Sequence, residues 1–132
     1  MATIPASHAD LLTPEKRAFA HLATVNAAGS PQVTPIWFDY DGTHVIINSA
    51  AGRVKDRNLR RDPRVALSIL DQEQPYRYVQ IQGRVVDVSE EGARDVINTL
   101  AKKYLGQDTY PGPEGETRVT YKIAPEKVQT MG

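Results

Sequence analysis

The chain has 132 residues, of which 40% are hydrophobic, a length that fits one domain around one core. Its 16 basic and 16 acidic residues give zero net charge, which argues against a general nucleic-acid or membrane-surface binder. The absence of cysteine excludes disulfides, thiolate metal sites and a cysteine nucleophile. Because we find neither a signal peptide nor an apolar run of roughly 20 residues, we expect a cytoplasmic protein.

The N-terminal part of the chain changes from a helical to a strand pattern. Residues 1–17 are interpreted as a leader and a short helix that starts at Pro14, with Thr13 as its cap. The run FAHLATVN then alternates with period two and predicts a first strand. A second strand, PQVTPIWFDY, contains Pro31 and Pro35, which cannot donate ladder hydrogen bonds, so we expect it at a sheet edge.

The next elements complete an antiparallel pattern. Asp41-Gly42 favours a type I′ turn into a third strand, HVIINSA, so that the first three strands would form a meander. A helix of roughly Val54–Arg61 should end before Pro63. Two strands follow, RVALSILD and YRYVQIQGRVVDV, then a helix opened by Ser89 and a last strand, RVTYKIAPEKV. We therefore predict a mainly β fold, a six-stranded antiparallel barrel with two or three short helices, in one domain spanning residues 1–132.

The segment from Gly52 to Arg64 is the most unusual in the chain. It holds six basic and two acidic residues, a local charge of +4 in a chain of zero net charge. Arginine forks and backbone N–H groups at a helix start suit a phosphate group. A solvated helix face explains the same charges equally well. On the second strand, Trp37 is interpreted either as the wall of a site for a planar ligand or as a core residue.

Other chemical motifs are missing from the chain. The three histidines, His8, His21 and His44, fit no metal spacing, and we interpret them as structural or exposed. We find no nucleophile elbow, zinc-protease motif or paired carboxylates. We therefore predict no metal site, and no nucleic-acid or membrane partner.

Four runs together resemble the pyridoxamine-phosphate-oxidase-like split β-barrels, the FMN-binding split-barrel type. They are AHLATVNAAGSPQVTPIWFDYDG, RVKDRNLRRDPRV, PYRYVQIQGRV and TYKIAPEKV, which span about residues 18–130. Within this family the chain is similar to the coenzyme F420-dependent reductases. We do not find the C-terminal substrate-binding segment of the pyridoxamine-phosphate oxidases proper, so we expect a different activity.

The resemblance implies a homodimer whose cofactor lies between the subunits. Arg53 and Lys55 would hold the cofactor phosphate, with Arg57 and Asn58 nearby. The remaining implied contacts are the approach to the phosphate (Asn48, Ser49, Ala50), the border of the tricyclic ring (Gln32, Val33, Thr34, Pro35) and the partner subunit's contribution (Tyr76, Arg77, Tyr78, Gln80). No catalytic nucleophile is implied, because the hydride comes from the cofactor; solvent, Tyr78 or Arg77 would protonate the product.

Three functions are compatible with this resemblance. The first is an F420-dependent reductase that transfers a hydride from reduced deazaflavin to an unsaturated or conjugated small molecule. The second is an FMN-binding oxidoreductase on the same barrel, and the third is a non-enzymatic flavin or deazaflavin carrier.

Overall fold

The computed structural model describes all 132 residues. One curled sheet contains strands β1 (Ala20–Val25), β2 (Pro31–Ile36), β3 (Asp39–Tyr40), β4 (Val45–Ala50), β5 (Arg64–Leu70), β6 (Tyr78–Ser89) and β7 (Arg118–Met131). Two α-helices accompany it, α1 (Val54–Arg61) and α2 (Ala93–Leu105). The sheet order is β2-β1-β5-β6-β7-β4-β3, and every neighbouring pair is antiparallel.

The sheet forms a curled half-barrel around a single apolar core. Alternate residues of each strand face that core, as the period-two pattern predicted, so Ala20, Leu22 and Thr24 are buried while their neighbours are partly exposed. The central strands contribute Leu67, Ile69, Val79, Ile81, Val119, Tyr121 and Ile123. The predicted edge position of β2 is confirmed, because β2 pairs only with β1.

The predicted strand number is wrong, and the predicted order of the first three strands is confirmed in part. The sheet has seven strands instead of six, because the second predicted strand is interrupted at Trp37 and Phe38 and resumes as the short β3. Phe38 turns inward and is completely buried, which breaks the alternation. The meander of the first three predicted strands is confirmed in part: the second predicted strand pairs with the first through β2 and with the third through β3, but its interruption places these two pairings at opposite edges of the sheet. The two edge strands do not pair with each other, so the barrel stays split.

Turns and helix starts differ from the predictions in detail. The β3–β4 hairpin exists, but Asp41 has no positive φ, so the type I′ turn is wrong; its carboxylate accepts hydrogen bonds from the Thr43 and His44 N–H groups instead. The N-terminal helix is two short 3₁₀ helices, Ala6–Leu12 and Pro14–Lys16. Thr13 does not cap the second one, since its hydroxyl donates back to the Asp10 carbonyl. Ser89 ends β6, and α2 begins at Ala93.

The N-terminal segment packs against the end of the chain. The imidazole of His8 is buried and donates to the carbonyl oxygen of Met131 at 2.8 Å, which bears out its interpretation as a structural histidine. Ala2 donates its N–H to the Pro125 carbonyl at 2.9 Å. These contacts attach residues predicted to be a leader to the far end of β7.

A bulge in β7 lies opposite Gly83 of β6, where Gln82 pairs with Lys127 but Gly83 pairs with Pro125. A Cβ atom on Gly83 would lie 2.6 Å from the Ala124 carbonyl oxygen. The two backbones approach here more closely than any larger residue allows.

Candidate functional site

A cleft with a cationic floor lies where β4, the start of α1, α2 and the start of β7 meet. We call it the cationic cleft, and its volume is about 240 Å³. It is lined by Pro35, Ile36, Trp37, Asn48, Arg53, Lys55, Ile97, Leu100, Tyr110 and Arg118. It brings together residues from five elements (β2, β4, α1, α2 and β7) and from three connecting segments, including the two cations that the resemblance assigned to a phosphate.

The turn between β4 and α1 positions the first of these cations. Gly52 has φ of +89°, a conformation that favours glycine, and Arg53 follows as the extended residue that precedes α1. The Gly52 N–H donates at 2.9 Å to the carboxylate of Asp56, one turn into the helix. The basic run thus begins in a fixed turn at the mouth of the cleft, and the side chain of Arg53 is 51% exposed.

Lys55 lines the cleft from the first turn of α1 without a counter-ion. Neither a carboxylate nor a hydrogen-bond acceptor contacts its ammonium group. Burial lowers the pKa of Lys55, and the positive charges of Arg53 and Arg118 lower the pKa further. A half-buried ammonium without a partner is costly to the fold, so an anion in the cleft would relieve an existing electrostatic cost.

Arg118 is a third cation of the cleft that the sequence analysis missed. Its Nε donates to Asn48 Oδ1 at 2.9 Å, its guanidinium lies 5.0 Å from the centroid of the Tyr110 ring, and its side chain is 4% exposed. Asn48 in turn donates to the Ala93 carbonyl at 2.9 Å. Arg118 reaches the site only because β7 pairs with β4, an adjacency that the predicted meander did not contain.

Aromatic rings form one wall of the cleft. Trp37, the only tryptophan in the chain, stacks on Tyr104 with ring centroids 5.3 Å apart, and the edge of Tyr110 lies 6.0 Å away. Burial raises the pKa of Tyr104 to about 12, and its hydroxyl donates to the Ala18 carbonyl at 2.6 Å. Trp37 is therefore a partly exposed cleft residue that also packs on the fold, so neither of its two interpretations was complete.

Most of the other residues predicted on β2, β4 and α1 do not line the cleft. Of the four predicted on β2, only Pro35 lines it; Gln32 and Thr34 are half-buried, and Val33 is exposed. Ser49 and Ala50 are buried beneath it, and Arg57 is exposed on α1. The amide of Asn58 donates to Thr24 and Asn26 at 3.0 and 2.9 Å, contacts that attach α1 to β1.

The predicted residues at the start of β6 lie far from the cleft of their own protomer. Tyr78 pairs with Met131, whereas the cleft lies beside Thr120, which pairs with Ser89 at the other end of β6. These pairs are separated by roughly 36 Å at about 3.3 Å per residue. Tyr76, Tyr78 and Gln80 therefore cannot reach the cleft within one chain.

Arg77 is held in an ion-pair network near the N-terminal segment. It donates to Asp10 at 2.5 Å, to Asp71 at 3.2 Å and to the Ser7 carbonyl at 2.8 Å. The hydrogen bond to Asp10 raises the pKa of the Arg77 guanidinium, opposed in part by burial. A guanidinium held in this way is a poor proton donor.

No group of three or more His, Asp or Glu side chains is arranged to hold a metal ion. None of the helices has both the length and the apolar character needed to cross a membrane.

A curled antiparallel half-barrel with a cationic cleft at one end has the architecture of a split barrel, and comparison with known proteins shows its family. The chain belongs to the pyridoxamine 5'-phosphate oxidase family, whose model matches residues 5–132. A solved structure of an F420 reductase is 32% identical to it with a TM-score of 0.85, and the match covers 96% of this chain and 98% of that chain.

Two more distant solved structures share the fold. A conserved hypothetical protein from Mycobacterium tuberculosis is 24% identical with a TM-score of 0.73, covering 99% of this chain and 88% of that one. A pyridoxamine 5'-phosphate oxidase-like protein from Listeria innocua is 20% identical with a TM-score of 0.70, covering 92% and 93%. No curated protein sequence matches the chain.

Proposed function

We propose that this chain is a coenzyme F420-dependent oxidoreductase that acts as a homodimer. It would transfer a hydride from the reduced deazaflavin to an unsaturated or conjugated small molecule. The observation that carries the proposal is the unpaired Lys55 ammonium beside Arg53 and Arg118 in a cleft with an aromatic wall. The choice of F420 rests on the 32% identity to an F420 reductase.

The residues of the cleft suit the phosphate and ring of such a cofactor. Lys55, Arg53 and Arg118 supply charge-assisted donors for a phosphate. The edge backbone of β2, from Gln32 to Pro35, is unpaired on one side and offers hydrogen bonds to a heterocycle. Trp37 and Tyr110 would exclude water from that surface. When bound, the deazaflavin supplies the hydride, so the chain's own work is binding and placement.

A homodimer would bring the start of β6 of one protomer to the cleft of its partner. One part of the outer face of β1, β5 and β6 has no charged side chain, and it ends at the pair Arg64 and Arg84: its residues are His21, Ala23, Val25, Ala66, Ser68, Leu70, Tyr78, Gln80 and Gln82. We call them the uncharged outer face. A two-fold axis through it would form one isologous interface. Tyr78 would then be a candidate proton donor, with solvent as the alternative, whereas Arg77 is tied to Asp10 and Asp71.

The cofactor proposal is tested by titrating the purified protein with coenzyme F420 and with FMN. We expect F420 to bind at least tenfold more tightly, a difference of about 1.4 kcal/mol. Trp37 lines the cleft and is the only tryptophan, so its fluorescence should be quenched as either ligand binds. Equal affinities, or FMN that co-purifies at full occupancy, would favour the FMN-binding oxidoreductase. Tight F420 binding without turnover of any acceptor would indicate a carrier.

The dimer proposal is tested by light scattering at micromolar concentration. We expect twice the 14.6 kDa chain mass, from an interface of about 2,000 Å² or more in total. Ala66→Arg places a charge on the uncharged outer face, between Ala23 and Gln82, and should shift the population toward monomer. Gln107→Arg, in the exposed loop after α2, is the matched control. A parent protein that scatters as a monomer would contradict the proposal.

The predicted cytoplasmic location stays a prediction.

A further inference from the structure

One carboxylate contacts two of the three cations of the cleft, although it does not itself line the cleft. Glu116, in the loop between α2 and β7, accepts a hydrogen bond from Arg53 at 2.7 Å through one oxygen and from Arg118 at 3.1 Å through the other. Its backbone carbonyl also accepts a hydrogen bond from Arg94 at 3.1 Å. The side chain is 18% exposed. Both the side chain and the backbone carbonyl of Glu116 thus accept hydrogen bonds from arginines, and its carboxylate contacts two of the three cations of the cleft.

Glu116 is ionised at neutral pH. Burial would raise the pKa of its carboxyl group, but Arg53 and Arg118 outweigh burial and hold the pKa below its usual value. Three positive charges therefore line the cleft, and one negative charge contacts two of them. An incoming anion meets the attraction of Arg53, Lys55 and Arg118 together with the repulsion of Glu116.

The two arginines depend on Glu116 to different degrees. Arg118 is also held by Asn48 and by packing on Tyr110, so its position does not need the carboxylate. Arg53 is half exposed, and its only side-chain partner is Glu116. An anion that binds Arg53 must therefore compete with Glu116 or share the guanidinium with it.

Repulsion from a fixed carboxylate scales with the charge of the incoming group. A phosphate monoester such as that of FMN carries between one and two negative charges at neutral pH, since its second pKa is about 6. The phosphodiester of coenzyme F420 carries only one. The same carboxylate should therefore penalise the monoester more than the diester.

We propose that Glu116 is a specificity-determining residue that biases the cationic cleft against phosphate monoesters and toward singly charged phosphodiesters. This inference rests on the proposed function, because it assumes that the cofactor phosphate enters the cleft. On this inference, the Glu116 carboxylate accounts for part of the difference in affinity between FMN and coenzyme F420.

The experiment measures the affinities of FMN, coenzyme F420 and phosphate-free riboflavin for the parent, Glu116→Gln and Glu114→Gln. Glu114 is an exposed glutamate in the same loop with no ion pair, which makes it a matched control. We expect Glu116→Gln to tighten FMN about tenfold and F420 about threefold, with riboflavin unchanged. The ratio of the FMN dissociation constant to the F420 dissociation constant should therefore fall by roughly threefold in Glu116→Gln. Glu114→Gln should leave all three affinities within twofold of the parent.

Two results would contradict the inference about Glu116 and leave the proposed function uncontradicted. An unchanged FMN-to-F420 ratio in Glu116→Gln would show that the carboxylate does not discriminate. Weaker binding of both cofactors would show that Glu116 aligns Arg53 for the phosphate instead of competing with it. If the parent binds neither cofactor, the proposed function fails. The effect of inorganic phosphate on the thermal midpoints of parent and variant then tests Glu116 separately, and equal shifts would overturn the inference.

Discussion

Replacing Lys55 or Arg53 by alanine is expected to weaken cofactor binding by roughly ten- to hundredfold in each case. A charge-assisted hydrogen bond to an anion contributes about 1.5–3 kcal/mol, which corresponds to that range. Lys55→Ala should have the larger effect, because the Lys55 ammonium has no partner in the protein and its full bonding capacity is free for a ligand. Arg53 already shares its guanidinium with Glu116.

In the same variants, folding stability should not change in parallel with cofactor affinity. Arg53 is half exposed, so its removal should change the free energy of unfolding by about 0–1 kcal/mol. Lys55→Ala should leave the thermal midpoint of the cofactor-free protein unchanged or raise it, since it removes a desolvated charge that has no partner. Higher stability with lower affinity is the signature of a residue retained for function.

Arg64→Ala is the matched control for these measurements. Arg64 belongs to the same basic run, but its side chain is 72% exposed and pairs only with Asp62. Its loss should leave cofactor affinity within twofold of the parent. If Arg53→Ala and Lys55→Ala also stay within twofold, the basic run is a solvated helix face and the site assignment is wrong.

Much of the fold could be predicted because its local signals agree with its tertiary contacts. The alternation in β1 and β5 matches burial, and α1 spans Val54–Arg61 as predicted, because Pro63 and a strand follow it closely. The strand order could not be predicted. The pairing of β4 with β7 joins residues about 70 positions apart, and no turn or periodicity reports on such a contact.

The part of the candidate site that is local in sequence could be predicted. Arg53 and Lys55 stand in one charged run, so composition alone draws attention to them. Arg118, Glu116 and Tyr110 come from a loop and a strand start more than 50 residues away, where a single charge resembles ordinary surface. Asn58 shows the opposite error. It lies in the charged run, yet its amide serves the packing of α1 on β1.

A buried carboxylate beneath the cleft is the second residue with a large expected effect, this time on stability. Asp56 is 3% exposed and accepts hydrogen bonds from the Gly52 N–H, Arg60 Nε and the Tyr121 hydroxyl. Burial would raise the pKa of Asp56, but these donors outweigh it and hold the pKa below its usual value. Burial and the Asp56 carboxylate raise the pKa of Tyr121, which stays protonated as a donor.

Asp56→Asn should destabilise the cofactor-free protein by about 2–3 kcal/mol at pH 7, because it weakens hydrogen bonds to a buried charge. For a domain of this size the thermal midpoint should fall by roughly 8 °C. The pKa of Asp56 is lower in the folded than in the unfolded state. Its contribution is therefore complete above the unfolded value of about 3.9 and is lost as the pH falls through the folded value. The parent and variant midpoints should consequently converge in acid.

The measurement is thermal unfolding of parent, Asp56→Asn, Tyr121→Phe and the double variant between pH 3 and pH 8. Asp87→Asn, an exposed carboxylate on β6, is the control and should match the parent throughout. The two single effects should not add, because Tyr121 and Asp56 share one hydrogen bond, and the coupling should amount to about 1 kcal/mol or more. A decrease of less than 2 °C in Asp56→Asn, or a decrease that stays constant down to pH 3, would show that the ionised carboxylate does not stabilise the turn beneath Arg53.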